Sequence, residues 1–171
     1  MIAPIPARFV PVAQAALRVA AGAAFFSHGA QKIFGWFGGF GPDGGTAELM
    51  TRFGAAGIIE LVCGFLITIG LLTRLAAFIA SGEIAVAYLW MHVGSSGSIW
   101  WWENRGELAM LFSFIFLLYA AWGAGPFSVD ASRPGQTKGR DNADDGPALS
   151  AKRESDQGTP LLNASRSPPT R

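Results

Sequence analysis

Charge is what this sequence has least of. Of its 171 residues only 15% are Asp, Glu, Lys or Arg, against roughly 25% in ordinary soluble domains. The shortage is uneven. Residues 131–171 hold seven of the 13 Lys and Arg and five of the 12 Asp and Glu. The first 130 residues keep six basic and seven acidic side chains, or 10%. A soluble domain of that size needs a well-charged surface, so the composition argues against a cytosolic enzyme. A single cysteine, Cys63, excludes an internal disulfide and a Cys-x-x-Cys dithiol. A net charge of +1 offers no basic footprint for phosphates, so no nucleic-acid partner is expected.

What is present is apolar length. Four runs cover about residues 10–34 (most apolar over 10–26), 55–72, 75–93 and 106–122. Each apolar stretch is of about 17–19 residues, the length a helix needs to cross roughly 30 Å of hydrocarbon. The fold class predicted is all-α: a four-transmembrane-helix bundle over residues 1–130. Residues 131–171, rich in Asp, Ser, Pro, Gly and Arg, predict a disordered polar C-terminal tail. Small residues at 20–24 resemble a signal cleavage site, but Arg18 interrupts the apolar core such a signal requires, so cleavage is not expected.

The connections differ. Residues 35–54 form a Gly-rich loop with Trp36, Phe37 and Phe40. It lacks a Gly-Lys-Ser/Thr ending and a preceding strand, so it is no phosphate loop; a re-entrant or interfacial cap is expected. Only Thr73-Arg74 separates the second and third runs, which predicts a tight antiparallel hairpin. With both termini in the cytoplasm, Arg8, Arg74, Arg133, Lys138 and Arg140 lie inside, and Lys32, Arg52 and Arg105 outside. Five against three favours that orientation in a plasma membrane.

The informative residues are the ionisable ones within the runs: Arg18, Glu60, Glu83, and Glu107 at the rim. An ion at mid-bilayer costs at least ~2.5–3.5 kcal/mol, so such residues face protein or a wet cavity. Counting helical rise from Ser27 and Val93 puts Arg18 and Glu83 at similar depth. They are therefore expected as a buried ion pair, serving either helix register or function. Glu60 and Glu107 have no equal partner at hand. His28, Lys32 and His92 fall on the same side as these carboxylates. Small residues accompany the charges, as on the Ala56, Glu60, Gly64 and Thr68 ridge, so the charged faces point inward. His28, His92, Glu60 and Glu107 are chemically competent metal ligands, but their spacing defines no metal site and none is expected. Haem is disfavoured, because no paired histidines sit on facing helices.

Longer motifs add a resemblance. The run His28-Gly29-Ala30-Gln31-Lys32-Ile33-Phe34-Gly35-Trp36-Phe37-Gly38-Gly39 resembles the signature of the DoxX family of membrane proteins. So do Gly70-Leu71-Leu72-Thr73-Arg74, Asn104-Arg105-Gly106-Glu107 and residues 123–130, Gly-Ala-Gly-Pro-Phe-Ser-Val-Asp. The likeness covers about residues 10–130. Arg105 departs from it, standing where the family pattern usually shows glycine. The resemblance implies a four-helix plasma-membrane protein. It also implies kinship with subunits of a thiosulfate:quinone oxidoreductase and with proteins of redox homeostasis and sulfur metabolism. The motif positions carried over are His28, Lys32, Arg74, Asn104, Glu107 and Asp130.

Three functions are consistent with these readings. The first is a quinone-linked redox subunit or redox-homeostasis component. A pocket lined by Phe25, Phe26, Trp90 and Trp102 would hold a quinone, with His28, Glu60 and Glu107 as candidate catalytic groups exchanging protons. The chain has no Fe–S cysteine set, Rossmann motif or dithiol, so electrons would come through a soluble or membrane redox partner. The second is a non-catalytic assembly or scaffold subunit. The third is a small transporter, for which four helices would call for a homo-oligomer. Whether the chain is itself an enzyme stays open.

Overall fold

The computed structural model describes residues 6–133, and the polar tail beyond Arg133 lies outside the described residues. Four long helices carry the chain: α1 (Val10–Phe34), α2 (Arg52–Ile69), α3 (Thr73–Ala87) and α4 (Glu107–Trp122). Among the described residues there is no strand, only an isolated antiparallel bridge between Phe40 and Gly45. α3 continues without interruption through a π-helical stretch, Tyr88–Val93, to Ser96. Three helices are long and apolar enough to cross a membrane: Ala7–Phe34, Arg52–Ile69 and Thr73–Ser96. α4 is equally apolar but has 16 residues, about 24 Å at 1.5 Å per residue.

Local chemistry sets the helix ends. α2 opens at Arg52, three residues before its apolar run, because the Thr51 hydroxyl caps it by accepting from Gly54 N at 3.3 Å. It closes at Gly70, whose φ of +73° lets N–H groups turn back onto the last carbonyls. α1 ends likewise at Gly35, φ +69°, and Ala47 N donates to the Lys32 carbonyl at 2.7 Å.

α1 packs most extensively on α2, and α3 on α4, with α2 and α3 joined as an antiparallel hairpin. The α1–α2 contact is backbone against backbone. A Cβ on Gly29 would lie 2.3 Å from Leu61 N, and one on Gly64 would lie 2.4 Å from Phe26 N. Such approach needs glycine on both helices, and it replaces the hydrophobic drive that lipid does not supply. Between α3 and α4, Ser81 and Ser113 each donate to the other's carbonyl, at 2.9 and 3.2 Å.

The core is small and mixed: Ala21, Cys63, Ala76, Ala77 and Ala80 around Phe25, Ile67, Phe112, Phe116 and Tyr119. The Phe25 and Phe116 rings lie 4.8 Å apart. Larger apolar side chains point outward, among them Leu17, Val62, Phe65, Phe78, Leu111, Phe114 and Leu118. An exposed shell of large apolar side chains around a core of small residues and aromatics suits a lipid surround. The chain is an all-helical membrane protein.

Candidate functional site

At one end of the bundle lie the α2–α3 turn and residues 123–133, which fold back beneath it. Arg18 is held here. Its Nη1 donates to the Ile67 carbonyl at 3.1 Å and its Nη2 to the Phe127 carbonyl at 2.6 Å. Gln14 Nε2 donates to the Gly123 carbonyl at 3.2 Å, and Tyr119 Oη donates to the Gln14 carbonyl at 2.6 Å. Gly70 is needed because a Cβ there would meet Arg18 Nη1 at 2.0 Å. Asp130 completes the clasp by accepting from Leu72 N and Thr73 N at 2.8 and 2.9 Å, which caps α3 from 57 residues away. Burial alone would raise the Asp130 pKa, but these backbone donors, together with the Thr73 side chain and the charge of Arg133, outweigh it and hold the carboxyl below its ordinary value. Arg74 Nη2 donates to the Trp122 carbonyl at 3.4 Å. The motifs at residues 70–74 and 123–130 therefore fasten the bundle.

The expected Arg18–Glu83 pair is not formed. α1 ends at Phe34, as its run does, so Arg18 lies sixteen residues, about 24 Å, from the far end of its helix and not at the depth counted from Ser27. Its side chain leans toward the helix N-terminus, as helical side chains do, and reaches the Ile67 carbonyl in the last turn of α2, which also accepts from Gly70 N at 3.1 Å.

Near the other end, Lys32 Nζ contacts Glu60 Oε1 and Oε2, both at 2.5 Å. This is the one ion pair among the described residues. Glu60, which the sequence left without a partner, thus finds one on α1. Gly57 makes this possible, since a Cβ there would meet Lys32 Cβ at 2.8 Å. His28 and Glu83 lie within electrostatic reach of Glu60. The His28 ring meets Phe112 edge-on at 6.4 Å. Glu83 Oε2 is buried without a hydrogen-bond partner. Glu107 is exposed in the first turn of α4, outside this group. No three His, Cys, Asp or Glu gather as potential metal ligands among the described residues.

Asn104 is the centre of a separate network. Buried, it donates through Nδ2 to Tyr88 Oη and the Ser98 carbonyl, at 3.1 and 3.0 Å, and accepts from Gly106 N at 2.8 Å. Tyr88 Oη donates to the Ile99 carbonyl, and His92 Nδ1 meets the Asn104 carbonyl at 3.1 Å. A carbonyl only accepts, so Nδ1 carries the proton. This network pins residues 97–106 over the π-helical end of α3 and presents Trp100, Trp101 and Trp102 as an exposed aromatic stack. Arg105 has φ +58°, which explains why glycine suits that position.

The pocket expected around Phe25, Phe26, Trp90 and Trp102 is not formed. Phe25 fills the core and Trp102 stacks on Trp100. Instead, a groove of about 700 Å³ runs along α3, open to the outside of the bundle. Phe53, Ala56 and Ile59 of α2 wall it, Phe78, Ile79, Val86 and Trp90 line it, and Ser113 and Leu117 of α4 reach it. Its ionisable residues are Arg52 and Glu83. No periodicity announces a groove, because it depends on how far two helices splay.

These features define a class: an integral membrane protein with several apolar helices and buried charges. Comparison with known proteins identifies it further. The DoxX family model matches residues 13–93. An uncharacterized protein of Haemophilus influenzae is 38% identical over 128 residues, covering 72% of this chain and 92% of that relative. The chain belongs to the DoxX family. No solved structure matches it.

Proposed function

We propose that this chain is a quinone-linked redox subunit of the plasma membrane, acting with a partner that supplies electrons. The observation that carries this reading is the adjacency of two features: the buried Lys32–Glu60 pair and a lipid-facing apolar groove that includes Glu83. A quinone is an apolar molecule with a head that takes up protons as it is reduced. It needs a groove reached from lipid and titratable groups held beside it. Glu60, Lys32, His28 and Glu83 are such groups, and charges kept inside membrane helices are expensive enough to imply a task.

In this reading α4 crosses the membrane with α1, α2 and α3, its short length met by local thinning of the bilayer. The N-terminus and residues 123–133 face the cytoplasm, which places Lys32, Glu60 and the Trp100–Trp102 stack toward the outer face. Indole rings favour that depth.

Titration of the purified protein in mild detergent with short-tailed ubiquinone and menaquinone analogues tests the reading. Saturable binding that weakens in Glu60→Gln is expected. No saturable binding would overturn it.

A further inference from the structure

The groove and the buried charges meet at one residue. Glu83 lines the groove and lies within electrostatic reach of both Glu60 and Lys32. Its Oε2 is buried and has no hydrogen-bond partner. The other polar groups of the groove are differently placed. Ser81 and Ser113 are engaged on each other's carbonyls. Arg52 stands exposed at the first residue of α2, its guanidinium over the Phe53 ring at 5.1 Å.

We propose that Glu83 is the side chain that recognises the polar head of an amphiphile lying in the α3 groove. This rests on the quinone reading and assigns the binding residue within it. A buried polar oxygen without a partner is disfavoured, so the Glu83 carboxyl gains by turning it toward a donor in the groove that the residue lines. A carboxyl group can accept from a quinol hydroxyl when ionised and donate to a quinone carbonyl as the acid. The head sits beside Glu83, and the tail runs along Phe78, Ile79 and Leu117. From Glu83 to Phe78, both lining the groove, α3 rises about 7.5 Å, enough to seat the start of a prenyl or alkyl tail whose remainder lies in lipid.

Gly82 supplies an independent probe. It lines the groove, and a Cβ there meets nothing within 4 Å. A larger side chain at this position occupies the groove without disturbing helix packing.

The test is decylubiquinone binding to the full-length protein in mild detergent, read by quenching of tryptophan fluorescence. Trp90 lines the groove, so the saturable part of the quenching is read as the difference between the parent and Trp90→Phe. Glu83→Leu removes the recognition group and should weaken binding at least about tenfold, the usual scale for an unmatched buried polar contact. Glu83→Gln keeps a donor and an acceptor and should stay within about threefold of the parent. Gly82→Phe should weaken binding at least about tenfold by occupancy alone, and it carries the test if Glu83→Leu fails to accumulate. Unchanged affinity in Glu83→Leu or in Gly82→Phe overturns this assignment and leaves the quinone reading standing. No saturable binding by the parent overturns both.

Discussion

Lys32 and Glu60 join α1 to α2 through two contacts of 2.5 Å, near the loop end of a contact otherwise made of glycine. The pair is buried on the Glu60 side and slightly exposed on the Lys32 side, at 5% and 16%. That asymmetry shapes what each substitution should do. Glu60→Gln leaves an ammonium facing an amide, and Lys32→Met leaves a carboxylate in a dry site. Breaking a buried pair costs about 3–5 kcal/mol. The residual exposure of Lys32 puts Glu60→Gln at the low end and Lys32→Met higher. The double variant Lys32→Met/Glu60→Leu should recover much of the loss, because it removes both desolvated charges. Thermal unfolding in detergent of the three variants checks the order.

Asp130 should give the clasp a pH dependence. Its folded pKa lies below the ordinary 3.8, set against burial by the Thr73 and Leu72 N–H donors with the Thr73 side chain and Arg133. A depressed carboxyl pKa contributes stability that is complete above the unfolded value. The contribution is lost as pH falls through the folded value. Melting temperature should therefore be insensitive to this group from pH 7 to about 5 and fall below about pH 4. Asp130→Ala should lose the cap at all pH values, costing about 0.5–2 kcal/mol, and should expose residues 123–133 to protease. A cleavage time course that matches the parent would remove the clasp from consideration.

The glycines divide into two kinds. Gly29→Ala and Gly64→Ala push a methyl into the backbone of the opposite helix, at 2.3 and 2.4 Å. Neither neighbour can yield without separating α1 from α2, so each should cost about 1–3 kcal/mol. Gly82→Ala meets open space and should be neutral or stabilising by up to about 1 kcal/mol through helix propensity. Comparing the three melting temperatures separates close packing from a general glycine effect.

Arg105→Gly should stabilise. Arg105 holds φ +58°, a conformation that costs a residue with a Cβ roughly 1–2 kcal/mol. Glycine relieves this but loses more chain entropy on folding, so a net gain below about 1 kcal/mol is expected. Differential scanning of the single variant measures it. A fall in melting temperature would mean that the Arg105 side chain makes a contact worth more than the strain.

The sequence by itself determined the membrane class. It did so because apolar run length and scarcity of charge act on each helix separately, whatever its neighbours. It also marked Glu60 and Glu83 as anomalous, since the cost of a charge in hydrocarbon is a property of the residue and its run. Only the tertiary structure decided who meets whom. Arg18 is left level with the C-terminal end of α2, because Gly22 faces Gly64 and Thr68 while Gly29 faces Gly57 and Leu61. It therefore clasps the Ile67 and Phe127 carbonyls and not Glu83. Lys32, assigned to the rim by its position in the run, bends back along α1 to Glu60, because glycine at 57 lets the helices touch. Partner choice depends on helix ends, register and the distance between axes, which arise from packing of the whole bundle. The scarce charges of the first 130 residues were legible from the start, and their pairing was a decision of the fold.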